Sequence, residues 1–483
     1  MLDIKLSQKS LDLVQYEGYV QFVSKESILE DNSQIAMLWD RTRASDFAIK
    51  EWTIPTDTSF MNVFFIVIET GQTQSDAVKY LDEMAVAIRS MKKKDIKQIL
   101  VASEILLSLT PTPYALSRQL SETAYLVGLE GFSMKHKQDP NKLEIISFVS
   151  DGIVESCFNE GVLLAKATHE ARNLVNRPAN DLTPEVLAQT ALEFGERYGF
   201  DVNVMDQSKI EQLKMHAYLS VAKGSSEPPK FIVMSYLGAP DSPKKFGLVG
   251  KGITYDSGGY SIKPTSSMTN MKNDMGGAAA VLGAFVAIAE AKLKANVIGV
   301  IAACENMISG DAYKPGDIIK SMSGKTIFIG NTDAEGRLTL ADALTYIVNN
   351  QKVDMVVDVA TLTGSASHCL GEEMTPVVSN NDVLYQLAER SFAKSNELLW
   401  RMPLIEAYRH KVKHTEADLT NSAGRPGMIT AGAFLESFVG DIPWVHVDIA
   451  STAFLGKATG VLPKGATGVG VRGLYQMIKK IVD

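Results

Sequence analysis

Apolar residues recur along this chain in two spacings. Residues 62–70 (NVFFIVIET) form an unbroken β-branched and aromatic run of the kind that makes a buried strand. Ala77, Val78, Leu81, Met84, Ala85 and Ile88 then follow helical spacing, which predicts a helix over 75–91. Strands are predicted again at 98–103 and 144–150, with a helix over 114–129 between them. Strands alternating with helices imply a mostly parallel sheet. A long helix is expected over 151–176, stopping before Arg177-Pro178, where proline disfavours continuation. Beyond it, strands at 230–237, 246–250, 296–303, 326–330, 354–359 and 444–449 alternate with helices at 275–293, 338–350 and 431–439. The predicted fold is α/β with two α/β domains. These are a smaller N-terminal domain (1–150), a linking helix (151–176), and a larger C-terminal domain (177–483) with a central mixed sheet flanked by helices.

Composition narrows the field. The 483 residues are 45% hydrophobic and 22% charged, a globular balance that argues against disorder. Lys and Arg number 48 against 56 Asp and Glu, a net charge of −8, which weakens a nucleic-acid reading. The basic run Met91-Lys92-Lys93-Lys94 is most simply a solvated helix end. Three scattered cysteines (Cys157, Cys304, Cys369) make no disulfide framework and are expected as reduced, mostly buried thiols. Charges interrupt every apolar stretch of the N-terminal MLDIKLSQKSLDLVQYEG, and no apolar run approaches the ~18 residues of a membrane span. The expectation is a soluble, cytoplasmic protein with no membrane partner.

Chemistry concentrates in two places. The first is GKGITYDSGGYSIKP (250–264), directly after an apolar strand and followed by Asp274 before a small-residue helix. The second is NTDAEGRL (331–338), between a strand and a helix. Both follow strand ends, where open α/β sheets place their ligand sites. Asp333 and Glu335 are two apart, so in an extended loop they project to one side. If Asp256, Asp274, Asp333 and Glu335 converge, four negative charges share one site and would force protonation unless cations balance them. Two divalent ions would cancel the charge, and oxygen-rich ligand sets suit such ions. A lysine ligates a metal only as the free amine; other basic groups could polarise a carbonyl or hold an anion. Charge alone does not bring the loops together, and each by itself also fits a solvated Gly/Asp turn.

These motifs, with MKNDMGGAAA (271–280), resemble the signature of the leucyl aminopeptidase family, the di-zinc, M17-type cytosol aminopeptidases. The resemblance extends through NLVNRPANDLTPE (173–185), DVATLTG (358–364), NSAGRPGMITAGAFL (421–435) and HVDIA (446–450). It covers nearly all of 165–483; the first 150 residues match in layout only. It implies a two-metal aminopeptidase releasing N-terminal residues, Leu and other apolar ones by preference. Asp256 and Glu335 would bridge both ions, Lys251 and Asp274 complete the tighter site, and Asp333 the more exchangeable one. Lys263 would polarise the scissile carbonyl, and Arg337 would hold a bicarbonate ion acting as base. Met271, Asn331, Thr361, Leu362 and Gly364 fall at substrate-binding positions: Met271, Thr361 and Gly364 line the first side-chain pocket, and Leu362 and Gly364 hold the main chain. The resemblance further implies zinc, manganese, cobalt or magnesium as the metal, peptide substrates, and a homohexamer built as a dimer of trimers. Tyr260, where an aliphatic residue is usual, resembles the peptidase B branch, and Ser451 stands where glycine is usual.

Other chemistries find less support. The seven histidines form no HExxH, and no G-x-S-x-G elbow or Walker spacing is present. His446 reads as a satisfied core residue. Two alternatives remain: a two-metal phosphoesterase, which needs more clustered basic residues, and an added DNA-binding or scaffold role, which needs a long basic groove.

Overall fold

The computed structural model describes residues 2–7, 16–27, 29, 34–43, 47–56, 60–69, 74–109, 112–136 and 142–482. Thr70, at the end of the first predicted strand, and residues 1 and 8–15 of the N-terminal stretch lie outside them. The chain divides into two compact units, Met1–Lys166 with Lys457–Lys464, and Ala167–Gly456 with Gly465–Asp483. The division falls inside the helix Glu155–Asn176.

In the first unit, six strands form one sheet: β1 (Asp3–Ser7), β2 (Gly18–Ser24), β3 (Ile49–Pro55), β4 (Phe60–Ile68), β5 (Gln98–Ala102) and β6 (Ile145–Val149), in the order β1-β6-β5-β2-β4-β3. All pairs are parallel except β3 with β4. Both faces are covered. Phe64, Ile66 and Phe148 pack with Leu81, Met84, Ala85 and Ile88 of the helix Gln74–Lys93, while Val63, Phe65 and Val67 pack with Trp39 on the other side. The basic run at the end of that helix is not simply solvated. Lys92 Nζ donates to the carbonyls of Val127 and Leu129, and Lys94 pairs with Glu51. Residues 457–464 join this unit because Val461 packs on its core and its amide donates to Asp82 Oδ1 at 2.9 Å.

The second unit is built on an eight-stranded mixed sheet. Its strands are β7 (Asp201–Met205), β8 (Lys230–Leu237), β9 (Phe246–Asp256) and β10 (Asn296–Asn306), then, after the short β11 (Ile318–Lys320) and β12 (Thr326–Phe328), β13 (Met355–Ala360), β14 (Thr375–Ser379) and β15 (Leu399–Arg401). After the two-residue β16 (Leu419–Thr420), β17 (Trp444–Asp448) completes the order β15-β14-β17-β13-β9-β10-β8-β7. The four central strands β17, β13, β9 and β10 are mutually parallel, so their carboxyl ends lie along one edge. Helices Gly276–Glu290 and Gly336–Asn349 are buried along almost their whole length, as expected of crossovers on a sheet covered on both faces. β9 runs six residues past the predicted stop at 250. Gly250 does not break it, because the chain of the helix lies so close that a Cβ there would meet Ala278 Cα at 2.7 Å. The helices begin near their predicted starts, at Gly276, Gly336 and Gly427. No helix of the described residues is long and apolar enough to cross a membrane. Of the three free cysteines only Cys304 is buried; Cys369 is exposed, against expectation, because it lies on the short outer helix Ser365–Leu370.

Candidate metal centre

The two signature loops meet. Thr332 Oγ1 donates to the Gly258 carbonyl at 2.7 Å and accepts from the Ser261 amide at 2.8 Å, while the Thr332 amide donates to Ser261 Oγ. This seam brings carboxylate oxygens of Asp256, Asp333 and Glu335 within 4.8 Å of one another. Asp333 and Glu335 do not converge through an extended loop, as their spacing predicts. Residues 332–333 form a turn and Glu335 already has helical angles at the start of Gly336–Asn349.

Strand β9 supplies Lys251 and Asp256, five residues apart, which in a regular strand face opposite sides. Pairing with β10 slips at this point: Ile253 faces Cys304 and Tyr255 faces Glu305, leaving Thr254 as an extra residue. Such a bulge resets the alternation and carries Asp256 to the side of Lys251. There Lys251 Nζ lies 2.7 Å from Asp274 Oδ1 and 2.9 Å from Glu335 Oε1. Lys263 Nζ lies 2.9 Å from Asp256 Oδ2 and 2.5 Å from Asp333 Oδ1. The lysine stem explains Gly336, where a Cβ would meet Lys251 Nζ at 2.7 Å. The Lys251 and Glu335 side chains are 2% exposed, against 16% for Lys263 and 31% for Asp333, so the cluster opens at the Lys263 end.

Electrostatically the cluster has four carboxylates and two ammonium groups. Burial, then mutual repulsion, pushes Asp274 well above the ordinary carboxylate range despite Lys251; Asp256 and Asp333 are raised for the same reasons against the pull of Lys263. Burial alone would lower both lysines, but the surrounding carboxylates outweigh it and hold Lys251 and Lys263 above normal. Asp274 Oδ2 and Glu335 Oε2 are buried without a hydrogen-bond partner. Unmatched buried oxygens and excess negative charge are what a divalent-cation site offers, so the residues fit such ions.

The other candidate residues divide. Arg337 is buried, its Nη1 donates to the Asn421 carbonyl at 2.7 Å, and Nε has no partner. Burial lowers its guanidinium to about 10, with Glu335 and Asp448 opposing, so it stays cationic at neutral pH. Thr361 serves the cluster itself: Oγ1 donates to Asp274 Oδ1 and its carbonyl accepts from Lys251 Nζ. Leu362 has its amide committed to Asp448 Oδ1 at 3.1 Å. Gly364 has open space beside it, and Met271 is half-buried on the turn Met271–Asn273 just before Asp274. Asn331 Oδ1 accepts from the Asp333 amide at 2.8 Å. His446 is only half satisfied: Nδ1 lies 2.6 Å from Asp358 Oδ1, and Nε2 has no partner.

Three polar residues given no role from sequence, Asn421 and Asp448 of them inside the resembling segments, sit near this cluster. Asn306, the last residue of β10, donates to Asp256 Oδ1 at 2.8 Å and to the Thr332 carbonyl at 3.0 Å. Asp448, the last residue of β17, accepts from Leu362, Thr363 and Ala450 amides and the Thr363 hydroxyl. Asn421 holds the loop before Glu335. A polar residue closing an otherwise apolar strand was the available signal for the first two.

Comparison with known proteins decides the kinship. The sequence model of the cytosol aminopeptidase family, catalytic domain, matches residues 169–475. A probable cytosol aminopeptidase of Clostridium perfringens is 52% identical over 331 residues, 68% of this chain and 67% of that one. The chain belongs to the cytosol aminopeptidase family. A family relative from Bacillus subtilis, also a probable cytosol aminopeptidase, is 40% identical over 435 residues, covering 88% of this chain and 86% of its own. Among solved structures, the bottromycin maturation enzyme BotP in complex with Mn shares the fold at a TM-score of 0.85 and 29% identity, over 97% of this chain and 100% of that chain. Membership makes the protein a metallo-aminopeptidase, a hydrolase that uses divalent metal to remove residues from peptide N-termini.

Proposed function

We propose that the cluster at the ends of β9, β10 and β13 is a two-ion centre that cleaves the bond after the first residue of a peptide. The observation that carries this reading is the meeting of Asp256, Asp333 and Glu335 within 4.8 Å, with Asp274 and Glu335 each keeping a buried unmatched oxygen. Asp256 and Glu335 would serve both ions, Asp274 and Lys251 one of them, the lysine as a free amine once the ion's charge displaces its proton, and Asp333 the more exchangeable other. Zinc or manganese is the expected metal, with cobalt or magnesium as substitutes. Such ions would activate water, stabilise developing negative charge and take the free α-amine of the substrate, which an internal amide nitrogen cannot imitate.

The chain's own groups do the rest. Lys263, at the open end, is an ammonium held charged by its carboxylate neighbours and suited to polarise the scissile carbonyl. Arg337, cationic with Nε unpartnered, is suited to hold a small anion, bicarbonate in this reading, as the base for attacking water. The Leu362 carbonyl and Gly364 would align the peptide backbone, and Met271, Thr361 and Gly364 would border the first side chain, favouring Leu and other apolar residues. A homohexamer, a dimer of trimers, in the cytoplasm completes the proposal.

The test compares leucine p-nitroanilide with its N-acetylated form and with p-nitrophenyl phosphate, before and after chelation and Mn²⁺ addition. Hydrolysis of only the free-amine substrate, abolished by chelator and restored by Mn²⁺, is expected. Folded, Mn²⁺-loaded protein that spares leucine p-nitroanilide, or cleaves the acetylated form equally well, rules the reading out.

A further inference from the structure

Asn421 follows β16 and extends its ladder, its amide donating to the Phe328 carbonyl at 3.1 Å. The residue is completely buried. Its side chain spends every hydrogen-bonding position on one loop. Oδ1 accepts from the amides of Gly330 (2.9 Å) and Asn331 (3.3 Å), and Nδ2 donates to the carbonyls of Asn331 (2.7 Å) and Ala334 (3.2 Å). Its own carbonyl takes Arg337 Nη1 at 2.7 Å. One side chain with two donors and two acceptors therefore spans both ends of residues 330–334. The same residue's backbone fixes the guanidinium.

We propose that Asn421 is a positioning residue of the centre: it sets the loop that presents Asp333 and Glu335, and keeps Arg337 in register with them. This rests on the reading of Asp333 and Glu335 as cation ligands. The shape of the bonding makes the residue type specific. Aspartate has the same outline but no Nδ2 donors, so it would turn an oxygen toward the Asn331 and Ala334 carbonyls. Glutamine is one methylene too long for a site with no exposed surface. Residues that orient ligands from behind typically govern metal affinity by about 10- to 100-fold. The loop released by substitution at 421 carries the most exposed carboxylate of the cluster, Asp333, so the more exchangeable ion should feel the change first.

The experiment measures Mn²⁺ binding by electron paramagnetic resonance, with steady-state kinetics on leucine p-nitroanilide, for the parent, Asn421→Asp, Asp333→Ala, the double variant and Asp256→Ala. Circular dichroism and Tm report folding. Asn421→Asp should weaken the second Mn²⁺ about 10- to 100-fold and lower kcat with little change in KM. In the Asp333→Ala background the same substitution should add little further loss of Mn²⁺ affinity, because both act on one ligand. A merely structural role would lower Tm without this coupling. Mn²⁺ affinity and kcat of Asn421→Asp within twofold of the parent, or losses that simply add in the double variant, overturn the proposal. If Asn421→Asp does not fold, Asn421→Ser is read by the same criteria. Asp256→Ala separates the two failures: if it loses Mn²⁺ while Asn421→Asp keeps it, only the positioning role falls. If Asp256→Ala keeps both ions, the two-ion reading falls as well.

Discussion

The parallel strands of the first unit end on Ser7, Ser24, Ile68, Ala102 and Val149; the four central strands of the second end on Asp256, Asn306, Ala360 and Asp448. Both sheets are open, both are covered by helices on each face, and both run their central strands in one direction. In the first unit, the buried charges of Arg118 and Glu122 pair at 2.5 Å, on one helix away from the strand ends. In the second, four carboxylates crowd at the strand ends with oxygens left unmatched. The architecture supplies the edge, and a few side chains placed on it supply the chemistry.

The sharpest way to break this comparison is to swap a strand-end group in each sheet. Asp256→Ala or Glu335→Ala should lose bound metal and activity together, down to background, measured by elemental analysis and turnover. Ser24→Ala, at the end of β2, should leave both unchanged; an equal loss there would erase the distinction. Lys263→Ala should keep metal and KM while kcat falls about 10²- to 10³-fold, as for loss of one oxyanion donor. Full turnover in that variant removes the role given to Lys263. Asp448→Asn should retain metal and lower kcat/KM by about 10- to 100-fold, because it loosens the Leu362–Thr363 amides.

The smallest effect belongs to the first unit and touches stability alone. Burial, the leading cause, raises the Glu83 carboxyl from 4.5 to about 7, and its Oε2 has no partner. The folded chain therefore binds more protons than the unfolded one between those values, so this group's contribution to stability falls as pH rises through that window. Glu83→Gln should flatten that decline and raise Tm at pH 8 with turnover unchanged. A parallel drop in Tm from pH 5 to 8 in parent and variant would assign the trend to other groups.

Much of the candidate centre was legible because its charged residues crowd into two short motifs, with Asp274 shortly after the first, beside predictable strands. Lys251, Asp256, Asp274, Asp333 and Glu335 are all found in one cluster. The residues that orient them were not, since Asn306, Asn421 and Asp448 are single polar side chains far apart in sequence, brought together by strand order alone. In the first unit, the long apolar runs of β4, β5 and β6 announced themselves. β1 and β3 alternate with polar residues over short spans, and β2 is interrupted by Gln21 and Ser24, so periodicity gave them little contrast. The return of residues 457–464 to the first unit depends on contacts such as the Val461 amide with Asp82, which no local pattern encodes.

Thr254 is the extra residue that lets an odd spacing place Lys251 and Asp256 on one side of the sheet. A substitution there that restored regular pairing without shortening the strand would turn the aspartate after it to the opposite side of the sheet. The pairing of this strand with its neighbour is thus as much a part of the site as the side chains it carries.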